Sequence, residues 1–221
     1  SFNSCEEKIK EQNLFELIPA EKSGVSFENS LESTDSLNIL EYLYFYNGGG
    51  VAAGDINNDG LVDLFFTGNQ VPNKLYLNKG DLKFEDISVS SGIASITGWS
   101  NGVTLADVNG DGLLDIYISQ VGDYKGIQGH NRLLINQGDL TFEDQSEDYG
   151  VDFKGFGTHA AFFDFDRDGD LDLYLLNHGV KSPEVFTQSE NRYKADEGGD
   201  KLLKNLSVEG ENRFVDVTES A

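Results

Sequence analysis

Asp164-Phe165-Asp166-Arg167-Asp168-Gly169-Asp170-Leu171-Asp172 has two looser copies upstream, Asp55-Ile56-Asn57-Asn58-Asp59-Gly60-Leu61-Val62-Asp63 and Asp107-Val108-Asn109-Gly110-Asp111-Gly112-Leu113-Leu114-Asp115. Each reads D-x-[DN]-x-D-G-x-x-D. Oxygen-bearing side chains at positions 1, 3, 5 and 9, with glycine at position 6 for a sharp turn, suit a hard cation that takes six to eight oxygen ligands. Calcium is the simplest such ion. Asp, Asn and Gly also crowd ordinary tight turns, but three matches at full spacing set this chain apart from that background.

The flanks recur with the loops. A lead-in of small and apolar residues precedes each one (Gly50 to Gly54, Gly102 to Ala106, His159 to Phe163), and an apolar, β-rich run follows (Leu64 to Thr67, Ile116 to Ser119, Leu173 to Leu176). Next comes Asn73-Lys74-Leu75-Tyr76-Leu77-Asn78, echoed at 131–136 and 200–205, and then Phe84-Glu85-Asp86-Ile87, echoed at 142–145 and 214–217. These are strand compositions. Each repeat therefore predicts four short strands with a metal loop between the first and second, the unit of a β-propeller blade. The fold class expected is all-β, a partial propeller with blades at about 44–93, 98–151 and 156–221.

The segment Phe15-Glu16-Leu17-Ile18, followed by Ser23-Gly24-Val25, resembles a fourth-strand element without three strands before it. It predicts an orphan outer strand at about 14–25, within a propeller region of 14–221. Three blades are too few to close a ring of four to eight, and aligning Phe214 with Phe84 places Ala221 just before a turn glycine. The expectation is the N-terminal fragment of a longer protein.

A helical calcium loop is the main structural rival, but it closes with an acid at position 12. Here position 12 is Phe66, Ile118 or Leu175, so Asp63, Asp115 and Asp172 must complete the sites. The third loop offers four carboxylates where each of the others offers three and an asparagine, which predicts that it binds tightest.

Charge excludes some functions. With 39 acidic and 16 basic residues the formal net charge is -23, and such a surface repels nucleic-acid phosphates. No apolar run is long enough to span a bilayer. The single Cys5 leaves no internal disulfide framework. Phe2-Asn3-Ser4-Cys5, with Glu6 and Glu7 after it, resembles the end of a bacterial lipoprotein signal, although Phe2 stands where leucine is usual. Residues 1–13 read as a tether, and Cys5 as either a lipid anchor, the sole membrane contact expected, or a free thiol.

In their order and spacing the loop, third strand and fourth strand resemble the FG-GAP or VCBS repeat proteins, which have integrin-like propellers. Tyr46-Asn47-Gly48-Gly49-Gly50-Val51 and Ala161-Phe162-Phe163-Asp164 are also similar to the start of large surface proteins of Bacteroidetes-type bacteria, often ending in an ASPIC/UnbV domain. The resemblance implies about three calcium ions. They are held at Asp55, Asn57, Asp59 and Asp63, at Asp107, Asn109, Asp111 and Asp115, and at Asp164, Asp166, Asp168 and Asp172. The carbonyls of Leu61, Leu113 and Asp170 serve at position 7. It also implies an extracellular or cell-envelope setting.

No G-x-S-x-G elbow, phosphate loop or zinc motif is present. His130, His159 and His178, with Tyr124 and Tyr193, are the candidate acid/base residues for a polysaccharide lyase, an activity known among related repeats. His159 sits in a strand, where packing is the simpler role. A lyase predicts His130 or His178 converging with a tyrosine and a basic residue. The preferred expectation is an interaction module for a protein or glycan, presenting the loops 124–130 and 178–199 with Tyr124, Phe186 and Tyr193.

Overall fold

The computed structural model describes residues 15–179, 199–207, 211 and 213–220. The expected tether over 1–13, Cys5, Phe186 and Tyr193 lie outside these residues. No helix among the described residues is long and apolar enough to cross a membrane.

The described residues form three four-stranded antiparallel sheets, each a simple meander in chain order. The first holds β1 (Val51–Gly54), β2 (Asp63–Phe66), β3 (Lys74–Asn78) and β4 (Phe84–Asp86). The second holds β5 (Trp99–Ala106), β6 (Asp115–Val121), β7 (Arg132–Asn136) and β8 (Phe142–Asp144). The third holds β9 (Gly157–Phe163), β10 (Asp172–Asn177), β11 (Lys201–Asn205) and β12 (Phe214–Asp216). In each sheet the acidic loop joins the first strand to the second, and the position 9 aspartate opens the second strand.

The second sheet is packed on both faces, which explains why β6 is buried along its whole length. Successive side chains of a strand point to opposite faces. Ile116 and Ile118 therefore meet Phe65, Leu75 and Leu77 of the first sheet. On the other face, Tyr117 with Leu133 and Ile135 of β7 meets Leu173, Leu175 and Leu203 of the third sheet. Each such fully buried side chain contributes about 1.5–3 kcal/mol.

The first strands of the three sheets lie side by side, close enough that glycine is required. A Cβ on Gly102 would stand 2.5 Å from the Thr158 carbonyl oxygen, and one on Gly50 would stand 2.9 Å from that of Asn101. Side chains bridge the same gap, with Thr104 Oγ1 donating to Ala160 O at 2.7 Å and Thr67 Oγ1 donating to Asn101 O at 2.7 Å. At one end of these strands Tyr42, Phe45, Trp99, Val121 and Ile127 form a separate cluster.

The outer strand expected at about 14–25 falls partly outside the described residues. Among the described residues 15–25 no strand forms, and Phe15 and Leu17 are 91% and 92% exposed. The turn that follows is kept. A helical turn, α1 (Ala20–Ser23), has Ser23 N–H donating to Pro19 O and ends at Gly24 with φ of 81°. Equivalent turns follow β4 and β8, with Ser91 N–H to Ile87 O and Tyr149 N–H to Gln145 O. Each turn lies against the fourth strand of the next sheet: Gly24 at Phe84 O, Ser91 O accepting from Phe142 N–H, and Tyr149 O accepting from Phe214 N–H.

Candidate metal centres

The three acidic loops share one backbone course. Position 4 is left-handed in each, at Asn58, Gly110 and Arg167, with φ of 58°, 73° and 65°. Position 6 is left-handed too, at Gly60, Gly112 and Gly169. These two reversals turn backbone N–H groups inward onto the loop's own oxygens. The position 1 carboxylates accept from positions 5 and 6: Asp59 and Gly60 N–H to Asp55 at 3.1 and 2.8 Å, Asp111 and Gly112 N–H to Asp107 at 3.0 and 2.9 Å, and Asp168 and Gly169 N–H to Asp164 at 3.2 and 3.3 Å. The position 5 carboxylates of Asp59, Asp111 and Asp168 accept from Leu61, Leu113 and Asp170 N–H. In the first two loops the position 3 amides of Asn57 and Asn109 accept from position 5 N–H and donate to the position 5 carboxylate.

The position 9 acids have a second duty that the spacing did not reveal. One oxygen of Asp63 accepts from Ile56 N–H at 3.0 Å and the other from Asn78 N–H at 2.8 Å. Asp115 does the same with Val108 and Asn136, and Asp172 with Phe165 and Asn205. Each acid thus ties the start of its loop to the end of the third strand. Burial raises all three carboxyls, the paired N–H groups offset part of that, and nearby loop acids raise them further; Asp115 reaches about 6.

The asparagine ending each third strand completes the lock. Asn78, Asn136 and Asn205 Nδ2 donate to the position 8 carbonyls of Val62, Leu114 and Leu171. Asn136 also reaches Ile56 O in the first loop at 2.8 Å, and Asn58 Nδ2 donates to Gly112 O, so the first two loops are joined. Recurrence at 78, 136 and 205 was the available signal for this role.

Oxygen-only donors are the chemistry a hard divalent cation takes. Among the described residues, one set of acidic oxygens converges: Asp164, Asp166 and Asp172 each bring an oxygen within 4.8 Å of the others. Lys204 approaches the same loop, 2.8 Å from Asp166 and 3.3 Å from Asp168.

The other candidates divide. His178 Nε2 is 3.1 Å from Tyr42 Oη, its Nδ1 is 3.1 Å from Thr158 Oγ1, and Tyr44 packs on its ring at 4.0 Å. These residues line a cavity of about 220 Å³, with His159 at its wall. His130 does not line it; burial and Arg132 hold its imidazole below the ordinary value. Tyr124 Oη donates to Glu41 O, and its ring packs on Phe156 and Tyr42.

A family model described as an FG-GAP-like repeat matches residues 55–118 and 121–175. Cartilage acidic protein 1 of Xenopus tropicalis is 34% identical over 143 residues, 62% of this chain and 21% of that protein. The protein of that name from Homo sapiens is 32% identical over 139 residues, 60% of this chain and 20% of its own length. The chain thus spans about a fifth of the curated relatives it matches. A solved Agrocybe aegerita lectin, described for specific recognition of non-reducing terminal N-acetylglucosamine, covers 77% of this chain and 38% of its own, with TM-score 0.41 and 17% identity.

Proposed function

The chain belongs to the FG-GAP-like repeat family, and on that premise we propose that it is the calcium-stabilised propeller part of an extracellular or cell-surface protein, an interaction module for a protein or glycan. The supporting observation is the threefold recurrence of one loop course, with its two left-handed residues and its buried position 9 acid. Residues 14–221 are the incomplete propeller, and each sheet is a blade. The ions would be held by Asp55, Asn57, Asp59 and Asp63, and by their counterparts in the second and third loops. Bound there, calcium neutralises the clustered acids and clips the first two strands of each blade. Cys5 is the proposed point of any lipid attachment.

The alternative, part of a propeller-type polysaccharide lyase, calls for a histidine, a tyrosine and a basic residue in one cleft. His178 meets Tyr42 and Tyr44, and no lysine or arginine is among the described residues that line their cavity, so binding is the preferred reading.

Metal analysis and thermal melting test the calcium reading. An ion that binds only the folded state stabilises it by about 2.7 kcal/mol at a hundredfold excess over Kd, and about 2–4 °C accompany each kcal/mol in a chain of this size. Excess chelator is expected to lower Tm by roughly 5–10 °C. An unchanged Tm rejects structural calcium.

A further inference from the structure

The cavity beside His178 has a composition that selects a ligand. Two sheets and the segment before the first converge on it: Tyr42 and Tyr44 from the segment before β1, Asn101 of β5, Thr158 and His159 of β9, and His178 after β10. In a chain of net charge -23, none of the described residues that line it is Asp, Glu, Lys or Arg. A charged ligand entering this cavity would leave water without a compensating partner, at considerable cost.

The wall also carries polar groups, the Asn101 amide, the Thr158 hydroxyl and the His159 imidazole, whose remaining hydrogen-bonding capacity a purely apolar guest would leave unmet. Parts of the wall are held in place. His178 is fixed through both ring nitrogens, to Tyr42 and Thr158, and burial holds its imidazole down at about 4, so it remains uncharged at neutral pH. Asn101 is oriented by its donation to Gly157 O at 2.7 Å. The ring of Tyr44, which lines the cavity beside Tyr42, packs on His178 at 4.0 Å and gives the wall its aromatic part.

Flat aromatic surface next to neutral donors and acceptors matches a molecule with an apolar ring face and hydroxyls at its rim. We propose that this cavity is a binding site for an uncharged saccharide unit. The proposal rests on the interaction-module reading and narrows its ligand from protein or glycan to neutral glycan at a stated place.

Saturation-transfer NMR on the full chain in calcium tests it, with glucose, galactose, mannose and N-acetylglucosamine as neutral probes and glucuronate and galacturonate as charged ones. At least one neutral sugar is expected to bind, with the uronates on the order of tenfold weaker or silent. Tyr44→Ala, which removes part of the wall, and Thr158→Val, which keeps the volume and removes the hydroxyl, are each expected to abolish the signal. The site is overturned if no neutral sugar binds, if the uronates bind as well as their neutral counterparts, if an unrelated peptide competes equally, or if both variants retain binding. The melting response to chelator is recorded on the same samples, so loss of the calcium reading and loss of the sugar site register separately.

Discussion

The ammonium of Lys204 lies 2.8 Å from a carboxylate oxygen of Asp166, so the third acidic loop is faced by a cation of its own chain. The equivalent positions before the other two strand-ending asparagines are Leu77 and Ile135. The two loop carboxylates push the Lys204 amine well above its ordinary range. A count of carboxylates makes the third loop the strongest calcium site, but Lys204 opposes that order because a bound ion must share or displace it. Lys204→Leu is expected to tighten the third site by on the order of thirtyfold, the repulsion in water between one unit charge and a divalent ion about 4 Å away. Terbium or calorimetric titration checks this; an unchanged or weaker third site contradicts it.

Asn136 holds more of the loop framework than Asn78. Its Nδ2 serves Ile56 O and Leu114 O while its Oδ1 accepts from Gly138 N–H, and the residue is buried. Asn136→Leu strands several of these groups at about 1–3 kcal/mol each where water cannot replace the bond. A loss of roughly 2–4 kcal/mol is expected in denaturant unfolding with chelator present, and a smaller one for the half-buried Asn78→Leu. Equal losses would mean that the bridge to the first loop contributes nothing.

The glycines at position 6 isolate backbone strain. Gly60 and Gly169 have φ of 85° and 104°, and a Cβ on either would meet no atom within 4 Å. Alanine there costs left-handed strain alone, about 1–2 kcal/mol. Arg167, already left-handed at φ 65°, is expected to gain up to about 1 kcal/mol on replacement by glycine. Denaturant midpoints in chelator measure both.

A second threefold device sits between the third and fourth strands. Lys74, Arg132 and Lys201 pair with Asp86, Asp144 and Asp216, and Ser88, Ser146 and Thr218 donate to the same carboxylates. Burial raises the Asp216 carboxyl, but Lys201 and Thr218 outweigh it and hold it at about 2, below the ordinary 3.8. The folded state therefore binds fewer protons than the unfolded one between those values, and stability falls as pH falls. The stability gap between wild type and Asp216→Asn is expected to be full above about pH 4 and to close towards pH 2. A gap that does not change with pH removes the ion pair as its source.

By itself the sequence determined the repeat unit: four strands, the position of each acidic loop, and the oxygen donors at 55–63, 107–115 and 164–172. These are local properties, set by strand periodicity and turn chemistry. The sharp turn at the position 6 glycine was legible too, whereas the left-handed residue at position 4, Asn58, Gly110 or Arg167, emerges only in the structure. Tertiary structure decided what depends on distant partners. The described residues 15–25 form a helical turn whose hydrogen bonds are local, and its place against Phe84 of the first sheet comes from packing. The position 9 acids became ties between loop and third strand, and Lys204 came to face the third loop, through sheet register. His178 was legible as an open candidate at a loop edge, but its place with Tyr42 and Thr158 arises where the segment before β1 packs against the third sheet, so that residues 136 and 20 positions away meet it.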